Sequence, residues 1–248
     1  MKYITEVSLA YKCDLPDPRA RQFTLGTHWI NWLYPQCLQP FQPGNAWKLV
    51  VELYDGRLKS PPEQAWLREP YAVERNGLGV VFAVQPVDLN PYFALGKTER
   101  KLWQLDQFQI AALRIAEKPG WPVEVFERAY ACCIKNGLET RRIFREPKMN
   151  AARKLRATIW WLIDSDGKEI YLVVADRDGA EIQKWVLERR RADQIDVYFP
   201  YDELGTFHWT GPTTVRLTSR DRATWWEATV GDPVVRTAGP KISAERGY

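Results

Sequence analysis

Apolar and polar positions alternate from Tyr3 to Tyr11, where Tyr3, Thr5, Val7, Leu9 and Tyr11 interleave with Ile4, Glu6, Ser8 and Ala10. A period of two marks a half-buried strand, because successive side chains point to opposite faces. Pro16, Pro18, Pro35, Pro40 and Pro43 then surround an aromatic segment, His28 to Tyr34, long enough for one or two helical turns. Apolar runs at 47–53 and 80–84 border the dipeptides Asp55-Gly56 and Asn76-Gly77. Asn or Asp before Gly supplies the positive φ of tight hairpins, so these runs predict antiparallel strands.

In the centre the period lengthens to that of a helix. Leu102, Leu105, Phe108, Ala112 and Ile115 recur between Thr98, a candidate N-cap, and the stop signal Pro119-Gly120. A second helix opens at Pro122, places Val123, Phe126, Tyr130 and Cys133 on one face, and ends at Asn136-Gly137. The short link predicts an antiparallel pair. Alternation returns at 159–163, 170–174 and 182–187, separated by Asp164-Ser165-Asp166-Gly167 and Asp176-Arg177-Asp178-Gly179, a three-stranded meander. Further strands are expected at 197–199, 214–218 and 224–230, and none beyond Gly231. The pattern therefore predicts one α+β domain over residues 1–230. Its antiparallel β-rich N- and C-terminal portions, 1–95 and 156–230, flank a central antiparallel helical pair at 97–137, and 231–248 form a loose tail.

Composition narrows the class. With 45% hydrophobic and 27% charged residues the chain is globular rather than disordered. Lys2, Glu6 and Lys12 interrupt the apolar residues of the N-terminus and no apolar run reaches membrane-spanning length, which points to the cytoplasm. Cys13, Cys37, Cys132 and Cys133 have neither zinc-knuckle spacing nor a disulfide-framework pattern, and read as reduced, mostly buried thiols. The net charge of +4 is mild, but Arg141, Arg142, Arg145, Lys148, Arg153, Lys154 and Arg156 cluster around the single acid Glu146. That run reads first as a solvated face, with nucleic-acid binding as the alternative.

No catalytic motif accompanies these elements. There is no nucleophile elbow, no glycine-rich phosphate loop opening a helix, and no cysteine-protease signature. The paired D-x-D-G segments lack the third ligand and the flanking helices of a calcium loop, and read as hairpin turns. His28 and His208 each precede a tryptophan, but two histidines do not make a zinc site. His208, between Gly205 and Gly211, is the better candidate for an acid or base in an unrecognised hydrolase. No catalytic residue, cofactor or metal is assigned.

Trp103, Leu105 and Leu113 on the first helix, Trp121 at the link, Phe126 and Ala129-Tyr130 on the second, then Pro147-Lys148, Asn150 and Lys154 before the strand at 159–163 form an ordered series. This series resembles the immunity-type proteins encoded beside bacterial polymorphic toxins, including those of Rhs-type systems. The resemblance implies a cytoplasmic, non-enzymatic protein that binds a cognate toxin domain and blocks its active site. The matching positions read as core and caps, so no toxin-contacting residue is carried over. Inhibitors of nucleases often present acidic surfaces, whereas this chain is slightly basic.

Twelve tryptophans and many arginines fit the same reading, since Trp, Tyr and Arg supply most interface anchors. The partner-binding residues expected from sequence are Arg189, Arg190, Arg191, His208, Trp209, Trp225 and Trp226.

Overall fold

The computed structural model describes residues 3–12, 18–55, 73–191 and 204–239. The chain mixes helix and strand and divides into two compact units, Met1–Thr140 and Arg141–Tyr248. The expected helical pair lies in the first and the expected meander in the second.

The first unit runs β1 (Glu6–Lys12), α1 (Pro18–Gly26), α2 (His28–Cys37), β2 (Lys48–Asp55), β3 (Val73–Arg75), β4 (Val80–Val87), α3 (Asn90–Ala94), α4 (Lys97–Glu117) and α5 (Val123–Lys135). Its sheet has the order β1-β2-β4-β3. Contrary to the antiparallel expectation for the N-terminal portion, β1 pairs with β2, and β2 with β4, in parallel. Parallel neighbours require a crossover connection, which α1 and α2 supply between β1 and β2. Strands covered on both faces become nearly continuously apolar, and Leu49, Val51, Leu53, Tyr54, Val81, Ala83 and Val84 are all buried. Asn76-Gly77 does turn the β3–β4 hairpin, with Asn76 Oδ1 accepting the amides of Leu78 and Val80. Asp55 instead pairs with Val87 in the parallel ladder, and Gly56 lies outside the described residues.

Helices α4 and α5 pack on each other close to where the period placed them. The cap of α4 is Gly96 rather than Thr98, and Gly96 donates its amide to Glu99 Oε2 at 2.8 Å. Val125, Phe126, Ala129 and Cys133 form the buried face of α5, while Tyr130 donates its hydroxyl to Asp106 Oδ1 on α4 at 2.7 Å. Gly137, at φ +66°, lets the Leu138 amide return to the Cys133 carbonyl and close the helix.

Two of the four cysteines are not the reduced thiols expected. Cys37 at the end of α2 and Cys132 on α5 form a disulfide with a Cα–Cα distance of 5.6 Å, while Cys133 is free and buried. Adjacent helix positions point about 100° apart, so Cys132 reaches α2 while Cys133 enters the core. Such bonds persist in oxidising compartments and are rare in a reducing cytoplasm. Cys13 lies outside the described residues.

The second unit is built of strands: β5 (Thr140–Met149), which begins at the unit boundary, β6 (Leu155–Asp164), β7 (Gly167–Asp176), β8 (Glu181–Arg191), β9 (Leu204–Trp209), β10 (Thr214–Ser219), β11 (Trp225–Thr229) and β12 (Arg236–Ala238). They form two sheets, β5-β6-β7-β8 and β12-β11-β10-β9. β6, β7 and β8 are the meander, antiparallel throughout. Gly167 holds φ +156° at its first turn, where a Cβ would lie 1.9 Å from the Arg190 carbonyl oxygen. The first part of the basic run is the edge strand β5, which leaves Arg141, Arg145 and Lys148 exposed, in keeping with a solvated face, and tolerates Pro147. Within 231–239, expected to be loose, β12 pairs with β11; the strand expected at 197–199 lies outside the described residues. Among the described residues no helix is long and apolar enough to cross a membrane.

Candidate interaction surface

The β9–β12 sheet sorts its residues by pleat. Trp209, Phe207, Val215, Leu217, Trp226 and Ala228 occupy facing positions in the ladder, and all but the half-buried Trp209 are buried. The opposite face carries His208 on β9, Arg216 on β10 and Trp225 and Glu227 on β11, with Arg236 of β12 opposite Glu227. Arg216 stands directly across from both His208 and Glu227. Its guanidinium donates to Glu227 Oε2 at 2.8 Å and 3.0 Å and lies 4.7 Å from the Trp225 ring centroid. One ion pair and one stack therefore fix a long cationic side chain that is still 39% exposed.

The seven residues expected from sequence do not form one patch. His208 and Trp225 share the Arg216 face, and His208 is exposed. Trp226 is buried on the other face, and Trp209 donates its indole N–H to the Lys148 carbonyl at 2.9 Å. Arg189, Arg190 and Arg191 close β8 in the other sheet. Arg189 pairs with Glu169 at 2.8 Å and Arg190, largely buried, pairs with Glu188. Arg216, Glu227 and Arg236 went unassigned because strand register, not spacing along the chain, brings them to His208 and Trp225. The partial signal in the sequence is the turn at 219–222, which folds β11 back on β10.

The first acid of each D-x-D-G segment braces its turn. Asp164 Oδ1 accepts the Ser165 amide at 2.7 Å, and Asp176 Oδ1 accepts the amides of Asp178 and Ala180 at 2.9 Å and 2.8 Å. Among the described residues no group of three or more His, Cys, Asp or Glu is placed to hold a metal ion.

In the first unit the polar groups serve the core. The Trp29 indole donates to Gln104 Oε1 at 2.8 Å, Gln104 donates to the Tyr92 hydroxyl at 2.8 Å, and Tyr34 donates to Gln109 Oε1 at 2.8 Å. Lys101, also buried, donates to the Leu138 carbonyl at 3.2 Å. His28 is 4% exposed, its Nδ1 has no hydrogen-bond partner among the described residues, and burial lowers its pKa to about 4. Burial pushes the Cys133 thiol up to about 12, so it is held in the unreactive thiol form.

The residues from which the resemblance to immunity-type proteins is drawn also divide by burial. Leu105, Trp121, Phe126, Ala129 and Asn150 are buried, while Pro147, Lys148 and Lys154 are exposed. No protein-family model, no curated protein and no solved structure matches this chain.

Proposed function

We propose that this chain acts stoichiometrically as a binding protein rather than as an enzyme, and that neutralising a cognate bacterial toxin, as immunity-type proteins do, is its specific role. The observation that supports the reading is the Arg216–Trp225 stack on the exposed face of the β9–β12 sheet. Arg and Trp are the residue types that most often dominate interface energies. An anchor already held by Glu227 and an indole loses less side-chain freedom on association, which removes part of the cost of binding. His208 on one side and Arg236 on the other extend the patch as a polar rim.

Affinity capture from the native host lysate tests the reading. The tagged wild-type chain and the double variant Arg216→Ala, Trp225→Ala would be compared at two salt concentrations, with and without nuclease. The expected result is one stoichiometric protein partner that survives salt and nuclease and is lost from the variant. Equal capture by both chains, or recovery of nucleic acid alone, would overturn it.

A further inference from the structure

At one end of the β5–β8 sheet lies an open groove of about 480 Å³, bordered by Met149, Arg153 and Lys154 on one side and by Asp176, Arg177 and Asp178 on the other. The pairing of Leu155 with Asp176 sets the β5–β6 and β7–β8 turns side by side there. Both turns are internally braced. Asn150 Oδ1 accepts the amides of Lys154 and Leu155 at 2.9 Å and 3.2 Å, as Asp176 Oδ1 does for Asp178 and Ala180. Arg153 is held at φ +53°, a left-handed conformation that non-glycine residues enter at a cost and that recurs at functional sites. A Cβ on Gly179 would lie 3.4 Å from Arg156 Nη2, so the Arg156 guanidinium also rests against the β7–β8 turn.

The cations here differ from those at the end of β8. Arg189 and Arg190 are matched by Glu169 and Glu188, whereas among the described residues Arg153, Lys154, Arg156 and Arg177 make no ion pair. Arg153, Lys154 and Arg177 outnumber the carboxylates of Asp176 and Asp178 around the concavity, so its lining keeps a net positive charge that attracts an anion, and arginine forks suit phosphate oxygens in particular. Asp176 is committed to its turn. Asp178 remains as an exposed acceptor for hydroxyl donors, and Met149, 41% exposed, offers an apolar wall. A phosphate, sugar hydroxyls and a flat apolar ring are the parts of a nucleotide.

We propose that this groove binds a nucleotide: Arg153, Lys154 and Arg177 take the phosphate and Asp178 accepts from a sugar hydroxyl. The source is either a free nucleotide or one unit of a single-stranded nucleic acid. The site is independent of the Arg216 face, so failure of the binding-protein reading leaves it standing.

Calorimetric titration of the full chain tests it, using a nucleoside 5′-monophosphate, the matching nucleoside, inorganic phosphate and single-stranded oligonucleotides of increasing length, each at two salt concentrations. The monophosphate should bind at least about tenfold more tightly than the nucleoside, and weaken as salt rises. Arg153→Ala with Arg177→Ala should cost roughly tenfold or more, Arg189→Ala should cost nothing, and Asp178→Asn should weaken the monophosphate while sparing inorganic phosphate. Affinity that grows with oligonucleotide length assigns the chain form, and affinity that does not assigns the free nucleotide. Equal binding of nucleoside and monophosphate by the wild-type chain, or no binding of the monophosphate at millimolar concentration, overturns the proposal whatever the variants do. So does full retention of binding by a double variant whose circular dichroism is unchanged.

Discussion

Buried polar side chains set measurable properties of single residues. Burial holds His28 at a pKa of about 4 against an ordinary value of 6.5. Well above pH 6.5 both the folded and unfolded forms are neutral at this site. As pH falls towards 4 the unfolded chain takes up a proton that the folded one refuses, so stability is lost across that window, by about 3 kcal/mol in total. Glu52 works in the opposite sense: burial raises its pKa despite Lys12 at 3.6 Å, so the folded form gains a proton more readily as pH falls. Urea midpoints at pH 7.5, 6 and 4.5 for wild type and His28→Gln separate the two, and the variant should lose the His28 part of the slope. Gln104→Ala should cost about 1–3 kcal/mol, because it strands the Trp29 indole N–H and removes a donor from Tyr92. A midpoint unchanged within error would show that water or another group takes Gln104's place. At this scale the sequence was partly legible. Trp160-Trp161 and Trp225-Trp226 lie on strands, where neighbours face opposite ways, and in each pair the second is buried and the first half-buried. Once a segment is recognised as a strand, adjacency alone forbids a joint anchor. Trp29 and Trp209 required the fold, since their roles rest on bonds to Gln104 and Lys148, far along the chain.

Elements were more legible where the hydrophobic period is long. Helices α4 and α5 declare themselves over many residues, whereas β12 is only three residues long and β5 buries only Thr140 and Phe144 among its cations. Alternation marks a strand without giving its direction, which is why the parallel pairing of β1, β2 and β4 escaped a reading guided by hairpin dipeptides. The link between α2 and α5 escaped for a different reason: no spacing rule connects cysteines separated by 95 residues. Closing a loop of that size restrains the unfolded chain by roughly 4–5 kcal/mol in the chain-entropy view. Reduction with a dithiol should therefore lower the thermal midpoint by about 10 °C or more, and Cys37→Ser should match the reduced wild type. Thiol labelling of the native oxidised chain should leave Cys133 unmodified. A midpoint insensitive to reductant would mean that α2 and α5 are held by packing alone.

For the whole molecule, the α+β class was readable from the change of period along the chain, but its arrangement as an α/β unit followed by an all-strand unit was not. Three surface features remain distinct in the second unit: the Arg216–Trp225 face, the paired arginines of β8 and the groove at the β5–β6 turn. Sequence grouped the first two because both are rich in anchor-type residues, and strand register separates them. The most direct measurement is the affinity of the captured partner for single variants, by calorimetry at one fixed salt concentration. Arg216→Ala and Trp225→Ala should each cost about 2 kcal/mol or more, with His208→Ala smaller and Arg189→Ala and Arg191→Ala near zero. Uniformly small losses on the β9–β12 face, or a dominant loss from the β8 arginines, would contradict the assignment of that face as the binding surface.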